Sequence, residues 1–189
     1  MVFTETVLLN SSASVPFVTH TFRANSLYDP DFTGILGHQP YRFDQLAAIY
    51  GRYEVLSSKI RVQFTTGEKA LATTTTGPWH VGVVCSTQAT PAGTGTDPGY
   101  TLAEAPRADH GALCADMVRQ VNSYWDRNLN GVVKHDDSLT AAISSNPASE
   151  GYYIIWMFNE GETITTNVLA HVRIEFDVQF TRPLQVAVS

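Results

Sequence analysis

The sequence has little charge and almost no cysteine. Asp, Glu, Lys and Arg make up 16% of the 189 residues, against roughly 25% in typical soluble domains. The formal net charge of -6 argues against nucleic-acid binding by the domain as a whole, because such binding needs Lys and Arg opposite the phosphates. Cys85 and Cys114 are too few for a disulfide framework and predict a pair of reduced thiols.

Motifs of known catalytic, metal or membrane chemistry are also missing. The six histidines show no HxH or HExxH spacing, and no GxSxG, Walker A or GxGxxG motif occurs. Only His110 and Cys114 approach a ligand pair, and only if they share a helical face; Asp29 and Asp31 suit turn capping better than Ca²⁺ ligation. No apolar run approaches the roughly 20 residues of a membrane span. We therefore predict no catalytic residue, no metal, no cofactor and no membrane span.

Alternation of apolar and polar residues predicts an all-β protein. From Val172 to Thr181 the chain alternates almost without error, which indicates a half-buried strand. The run YYIIWMF at 152–158 is apolar on both faces, which favours a central strand with a possible contribution to a subunit interface. About eight strands are expected in total; the other candidates are 2–9, 15–24, 53–64, 79–85, 118–125 and, more weakly, 132–134.

Two short stretches have a helical pattern. Phe43, Leu46, Ala47 and Tyr50 fall at i, i+3, i+4 and i+7, and a second, weaker candidate covers 111–118. Turn-rich sequence at 73–78 and 89–100 predicts exposed loops. We predict a single eight-stranded antiparallel jelly-roll sandwich with one or two short helices in its connections, formed by residues 15–189 after an N-terminal segment, 1–14.

Four segments carry a resemblance to a known family: RANSLYDPDFTGILGHQPYRFDQ at 23–45, YEVLSSKIRVQF at 53–64, SSNPASEGYYIIW at 144–156 and VRIEFDVQFTRPL at 172–184. They resemble the capsid proteins of small circular, Rep-encoding single-stranded DNA (CRESS-DNA, circovirus-like) viruses. This family is similar in turn to the shell domain of small icosahedral plant RNA viruses, which implies eight strands in two four-stranded sheets. The resemblance also implies a non-enzymatic virion protein, assembled inside the host cell, of which about 60 copies form a T=1 shell around circular single-stranded DNA.

The long connection after residue 23 carries the candidate subunit contacts. Its aromatic residues have the composition of interface cores, and a shell needs ordered contact loops. The candidates for the subunit interface are Tyr28, Phe32, His38, Tyr41 and Phe43. The alternative is that these aromatics plug the end of their own sandwich.

Genome contact is the point at which the sequence departs from the family pattern. Capsids of this family usually begin with an arginine-rich arm, whereas residues 1–14 contain no Lys or Arg. Either such an arm has been removed, or the protein packages its genome differently. In the second case nucleic acid would be held by a few groups, for which Arg23, Lys59 and Arg61 are the candidates.

A carbohydrate-binding or glycoside-cleaving jelly roll is the alternative function. Glu175 and Asp177 point to one strand face, as in glycosidases with an ExDxE motif, but the third position is Gln179, which cannot ionise. The separate acid/base carboxyl of a retaining glycosidase is therefore missing. A groove bearing the two carboxylates would favour this alternative.

Overall fold

A computed structural model describes most of the chain as two packed β-sheets. The described residues are 1–11, 17–34, 38–66, 79–90, 98–114, 117–130, 137–159 and 166–184. The strands are β1 (Val2–Ser11), β2 (Phe17–Arg23), β3 (Tyr50–Thr66), β4 (Trp79–Ser86), β5 (Asp109–Leu113), β6 (Val118–Asp126), β7 (Thr140–Ala142), β8 (Tyr152–Asn159) and β9 (Thr166–Pro183). Two short helices are α1 (Phe43–Ala47) and α2 (Pro98–Ala103), and two 3-10 turns cover Arg127–Asn130 and Asp137–Leu139.

The strand order is that of a jelly roll. The larger sheet runs β1-β9-β3-β6, with the three-residue β7 added beside β3, and the smaller sheet runs β2-β8-β4-β5. All of these pairs are antiparallel. Apart from β7, the described part of the chain therefore has eight strands in two four-stranded sheets, and the predicted fold is confirmed. Because β1 pairs with β9 over its whole length, the sandwich includes residues 2–11, ahead of the predicted start at 15.

The core lies between the two sheets and follows from the alternation of the strands. Every second residue of β9, and of β3 after an irregularity between Val55 and Ser57, points inward, so that Ile60, Val62, Phe64, Ile174 and Phe176 are all buried. The largest fully buried side chains include three tryptophans and two tyrosines: Trp79, Trp125, Trp156, Tyr53 and Tyr153.

Strand β8 is buried on both faces, as its apolar sequence predicts. It lies between β2 and β4, and one set of its side chains enters the main core. The other set, Ile154, Trp156 and Phe158, forms a second cluster with Leu102 of α2 and the residues that follow it. The second apolar face is therefore covered by the protein's own helix.

Two local predictions were wrong, and two, the loop at 73–78 and the strand at 132–134, lie outside the described residues. The stretch expected to be helical from 111 begins as β5, which pairs with β4, so His110 and Cys114 share no helical face; both cysteines are free. Helix α2 begins at Pro98, inside the predicted loop at 89–100. Within the described ranges, no helix is long and apolar enough to span a membrane.

Candidate interaction surfaces

Arg23, the last residue of β2, holds the long connection that follows it. Its guanidinium donates to the side chain and carbonyl of Asp29 at 2.7 and 2.9 Å and to Glu150 at 2.8 Å. Its Cζ lies 4.8 Å from the ring centre of Phe32, and Tyr152 donates its hydroxyl to the second oxygen of Glu150. The Arg23 side chain is only 11% exposed. Two carboxylates and one aromatic face thus fix the start of the connection.

Buried amide and hydroxyl groups tie the same connection to the segment before β8. Asn25 donates from Nδ2 to the Ser149 carbonyl at 2.8 Å and accepts the backbone N–H of Gly151 at 2.9 Å. The hydroxyl of Ser26 donates to Oδ1 of Asn146 at 2.7 Å. Asn25 and Ser26 therefore bind directly to the segment SNPASEG at 145–151. Both segments carry the family resemblance. This contact explains why the connection is so specific in sequence.

Four of the five candidate interface residues are exposed: His38, which stacks on Phe3, and Tyr28, Phe32 and Tyr41. Tyr28 and Phe32 are each 40% exposed, and Tyr41 is 77% exposed. The ring of Tyr41 lies 5.4 Å from the guanidinium carbon of Arg42, whose φ of 71° turns the chain into α1. The connection therefore presents aromatic side chains to the surroundings while its backbone is held by the contacts described above.

Two of the five candidates, Phe43 and His38, pack against the protein's own core. Phe43 is 1% exposed and meets Tyr53 edge to face, with ring centres 5.7 Å apart. His38 is exposed on one side and stacks on Phe3 at 4.6 Å. Phe43 thus plugs the end of its own sandwich, which is the second of the two alternatives predicted for these aromatics, and has no surface left for a neighbour.

A small cluster of ionisable groups lies where β1 contacts β2. His20 Nε2 is 2.6 Å from Asp31 Oδ1, and that oxygen also accepts the N–H groups of Gly34 at 2.9 Å and Thr33 at 3.2 Å. Burial opposes ionisation of Asp31, but the bond to His20 and these N–H groups together lower its pKa. Asp31 thus caps a turn, as predicted. No group of three His, Cys, Asp or Glu side chains among the described residues is arranged to hold a metal ion.

Glu5 of β1 belongs to the same cluster, and its ionised side chain destabilises the folded protein. One of its carboxylate oxygens, Oε2, is buried and has no hydrogen-bond partner. Burial and the charge of Asp31 raise the pKa of Glu5, and His20 and His38 only partly oppose them. The ionised Glu5 side chain therefore destabilises the fold at neutral pH.

Replacing Glu5 by glutamine should stabilise the protein at pH 7. The raised folded-state pKa means that protonated Glu5 stabilises the fold below its unfolded value of 4.5, and this contribution is lost as the pH rises through the folded pKa. The variant keeps the neutral form, so we expect the melting temperature to rise by roughly 2–4 °C at pH 7 and to match that of the original chain below about pH 4. Glu104→Gln, at an exposed position, is the control. An equal gain in both variants would mean that net charge, and not the cluster, is responsible.

Of the three candidate nucleic-acid groups, Arg23 lies apart from Lys59 and Arg61, which share one face. Arg23 is committed to its two carboxylates. Lys59 and Arg61 are exposed on the outer face of the larger sheet, the face turned away from the smaller sheet. There Lys59 is paired across the strands with Glu175, and Arg61 with Arg173. Strand alternation alone predicts the common face of Lys59 and Arg61, but finding Arg173 beside them needs the register of β9.

The carboxylates of the alternative function lie on the same face. Glu175 and Asp177 line a shallow depression of about 510 Å³ together with Tyr124 and Asp126. The acid of a glycosidase is kept protonated by a hydrophobic pocket, whereas Glu175 is 51% exposed and accepts a hydrogen bond from Arg173 at 2.9 Å. Glu175 therefore lacks the apolar surroundings of such an acid.

The fold is similar to solved structures of small icosahedral viruses. A mud crab tombus-like virus structure matches with a TM-score of 0.51 and 12% identity, over 99% of this chain and 83% of that chain. The T=1 subviral particle of a Penaeus vannamei nodavirus capsid protein deletion mutant gives 0.48 and 15%, over 97% and 95%, and Desmodium yellow mottle tymovirus gives 0.40 and 11%, over 100% and 91%. No family model and no curated protein matches the sequence. The chain thus shares the jelly-roll fold of the mud crab tombus-like virus structure, while the resemblance to capsids of single-stranded DNA viruses stays a prediction.

Proposed function

We propose that the protein is a coat subunit that assembles, without catalysis, into a small closed icosahedral shell. The observation that carries this proposal is the match of the whole sandwich, over 99% of the chain, to the mud crab tombus-like virus structure. One subunit type in about 60 equivalent positions, a T=1 shell, suits a chain with one jelly roll and no second domain among its described residues. A closed shell needs contacts about several axes, so several surface patches must bind at once.

The exposed aromatic end of the sandwich is the contact surface that we propose first. Tyr28, Phe32 and Tyr41 are large side chains left in solvent by the single chain, and exposed aromatics held on a fixed backbone lose little entropy on binding. The Arg23 contacts and the Asn25 contacts hold the backbone that leads to Tyr28, and Asp31 holds the turn that carries Phe32. Preorganisation of this kind is what a repeated, symmetric contact requires.

The genome that we propose is circular single-stranded DNA, enclosed in a virion assembled inside the host cell. Support comes from the resemblance of the four sequence segments to capsids of Rep-encoding viruses. Nuclease treatment of particles made in cells that contain both circular single-stranded DNA and RNA tests this directly. Protected DNA would support the proposal, and particles that protect only RNA would contradict it.

Replacing Tyr41 by alanine should block assembly without unfolding the subunit. The side chain is 77% exposed, so the change in the free energy of unfolding should stay within about 0.5 kcal/mol. Loss of a central aromatic contact should weaken each subunit interface by about 2 kcal/mol. The same loss occurs at every equivalent interface of the shell. Sedimentation velocity measures the particle fraction, and Tyr41→Phe is the control that keeps the ring. Particles of Tyr41→Ala at the original yield would show that this residue is not a subunit contact.

A further inference from the structure

The outer face of the larger sheet is organised in rows that run across β1, β9, β3 and β6. Paired residues on one face lie side by side, so the strand registers define which side chains are neighbours. One row contains His171, Gln63 and Gln120, and the next row contains Arg173, Arg61 and Asn122. These two rows consist of side chains that can donate hydrogen bonds.

The rows on either side of the two donor rows limit the surface that a polyanion could use. On one side the flanking row contains Thr65 and three apolar residues, of which Leu8 and Val118 are 55% and 59% exposed. On the other side, beyond Lys59, the flanking row contains Asp177 and Asp126. A polyanion bound to this face would therefore lie along the two donor rows, across the strands. A polyanion that lay parallel to the strands would meet the acidic row, which would repel it.

Arg61 is the most informative residue of the donor rows. It stands directly opposite Arg173, and like charges in that position destabilise a sheet unless something compensates. Arg173 is paired with Glu175 at 2.9 Å, while Arg61 has no ion pair in the described part of the chain. Arg61 and Arg173 line a depression of about 570 Å³ together with Thr4, His171 and Glu5, whose carboxylate belongs to the cluster with Asp31 and His20. An anion bound in this depression would compensate both cations.

An aromatic platform lies beside the arginines. Tyr124 of β6 is 52% exposed, and it pairs across the strands with Lys59. It is a diagonal neighbour of Arg61, a relation that places side chains roughly 7 Å apart. The guanidinium carbon of Arg107 lies 6.0 Å from the ring centre. A positive groove combined with an exposed ring is how proteins bind single strands without reading sequence, because the phosphates pair with cations and a base stacks on the ring.

We propose that this face binds the backbone of single-stranded nucleic acid, with a phosphate between Arg61 and Arg173 and a neighbouring base on Tyr124. The inference rests on the proposed coat function and assigns the genome contact to a surface within the sandwich. The Arg61–Arg173 row and the adjacent row of Lys59, Glu175 and Tyr124 together contain three cations, Lys59, Arg61 and Arg173, and one carboxylate, Glu175. A local positive patch of this kind is compatible with the overall charge of -6, since the acidic groups of this face are concentrated in the row beyond it.

The test is the salt dependence of binding to fluorescent oligothymidine and oligouridine by the purified chain. For single strands, each phosphate contact contributes about 0.7 to the slope of log affinity against log salt. Arg61→Ala and Arg173→Ala should each lower the slope by about that amount. Tyr124→Ala should weaken binding about tenfold with the slope unchanged, and Tyr124→Phe should bind like the original chain. Arg182→Ala is the control, because it removes the same charge from the exposed far end of β9.

Three results would overturn the inference. The first is an equal loss of affinity and salt dependence for Arg61→Ala and Arg182→Ala, and the second is no binding at low salt. The third is a duplex that binds as tightly as the single strand, which would rule out stacking of a base on Tyr124. Particle formation is measured separately on the same preparations. Shells that form without any of these binding effects would contradict this surface alone, and binding by a chain that never forms shells would contradict the coat function alone.

Discussion

Replacing Arg23 by methionine is expected to destabilise the protein by about 3 kcal/mol and to prevent shell formation. The methionine keeps the apolar stem but leaves Glu150, whose side chain is 16% exposed, without its cation in a poorly solvated position. Removing one partner of a largely buried, hydrogen-bonded ion pair costs several kcal/mol because the other charge is left uncompensated. For a chain of this size the melting temperature should fall by roughly 6–12 °C.

The control for this prediction is Arg173→Met. The Arg173–Glu175 pair has similar geometry, at 2.9 Å, but both side chains are about half exposed, so its loss should cost less than about 1 kcal/mol. Thermal unfolding of the two variants measures the difference. If both melt alike, then the contacts of Arg23 with Asp29 and Glu150 do not hold the connection after β2.

Replacing Trp156 by alanine is expected to destabilise the protein by about 3–5 kcal/mol. The side chain is 1% exposed and fills the second core, between β8 and the segment of α2. It also lies against Gly82 of β4, where an added Cβ would come within 2.5 Å of the indole ring. Chemical denaturation should show the loss as a lower midpoint, while Tyr124→Ala, at an exposed ring, should change the midpoint little.

A double variant makes the Trp156 prediction specific. Gly82→Ala alone should be destabilising because the new methyl group meets the indole ring. In the Trp156→Ala background the ring is gone, so the same change should cost clearly less, and the two effects should not add. Additive effects would contradict the close packing of the ring on Gly82 and, with it, the account of β8 as a strand buried on both faces.

The strands were predictable from sequence where one face is buried and the other exposed. In β3 and β9 the apolar residues recur every second position, because inward and outward side chains alternate along a strand. Strand β5 was missed because it is short and contains Gly111 and exposed polar positions. It forms through pairing with β4, and such long-range pairing leaves no local pattern. Helix α2 was not predicted for the same reason, because its position depends on the packing of its Tyr100 ring on Phe158 of β8.

The candidate surfaces were predictable only in part. Alternation shows that Lys59 and Arg61 share a face, but the pairing of Arg61 with Arg173 depends on the register between two strands that are far apart in sequence. The family resemblance pointed to the connection after β2 without showing which aromatics are exposed. Tyr41 and Phe43 are two residues apart, yet one is 77% and the other 1% exposed, because α1 begins at Phe43 and turns that ring into the core.

Light scattering after size exclusion, combined with electron microscopy, tests the central claim most directly. The chain is expressed alone and studied at neutral pH, with and without nuclease. The coat function predicts uniform closed particles of virus-like size, in the range expected for about 60 subunits. A stable monomer at all salt and protein concentrations would contradict self-assembly by this chain, whatever its fold.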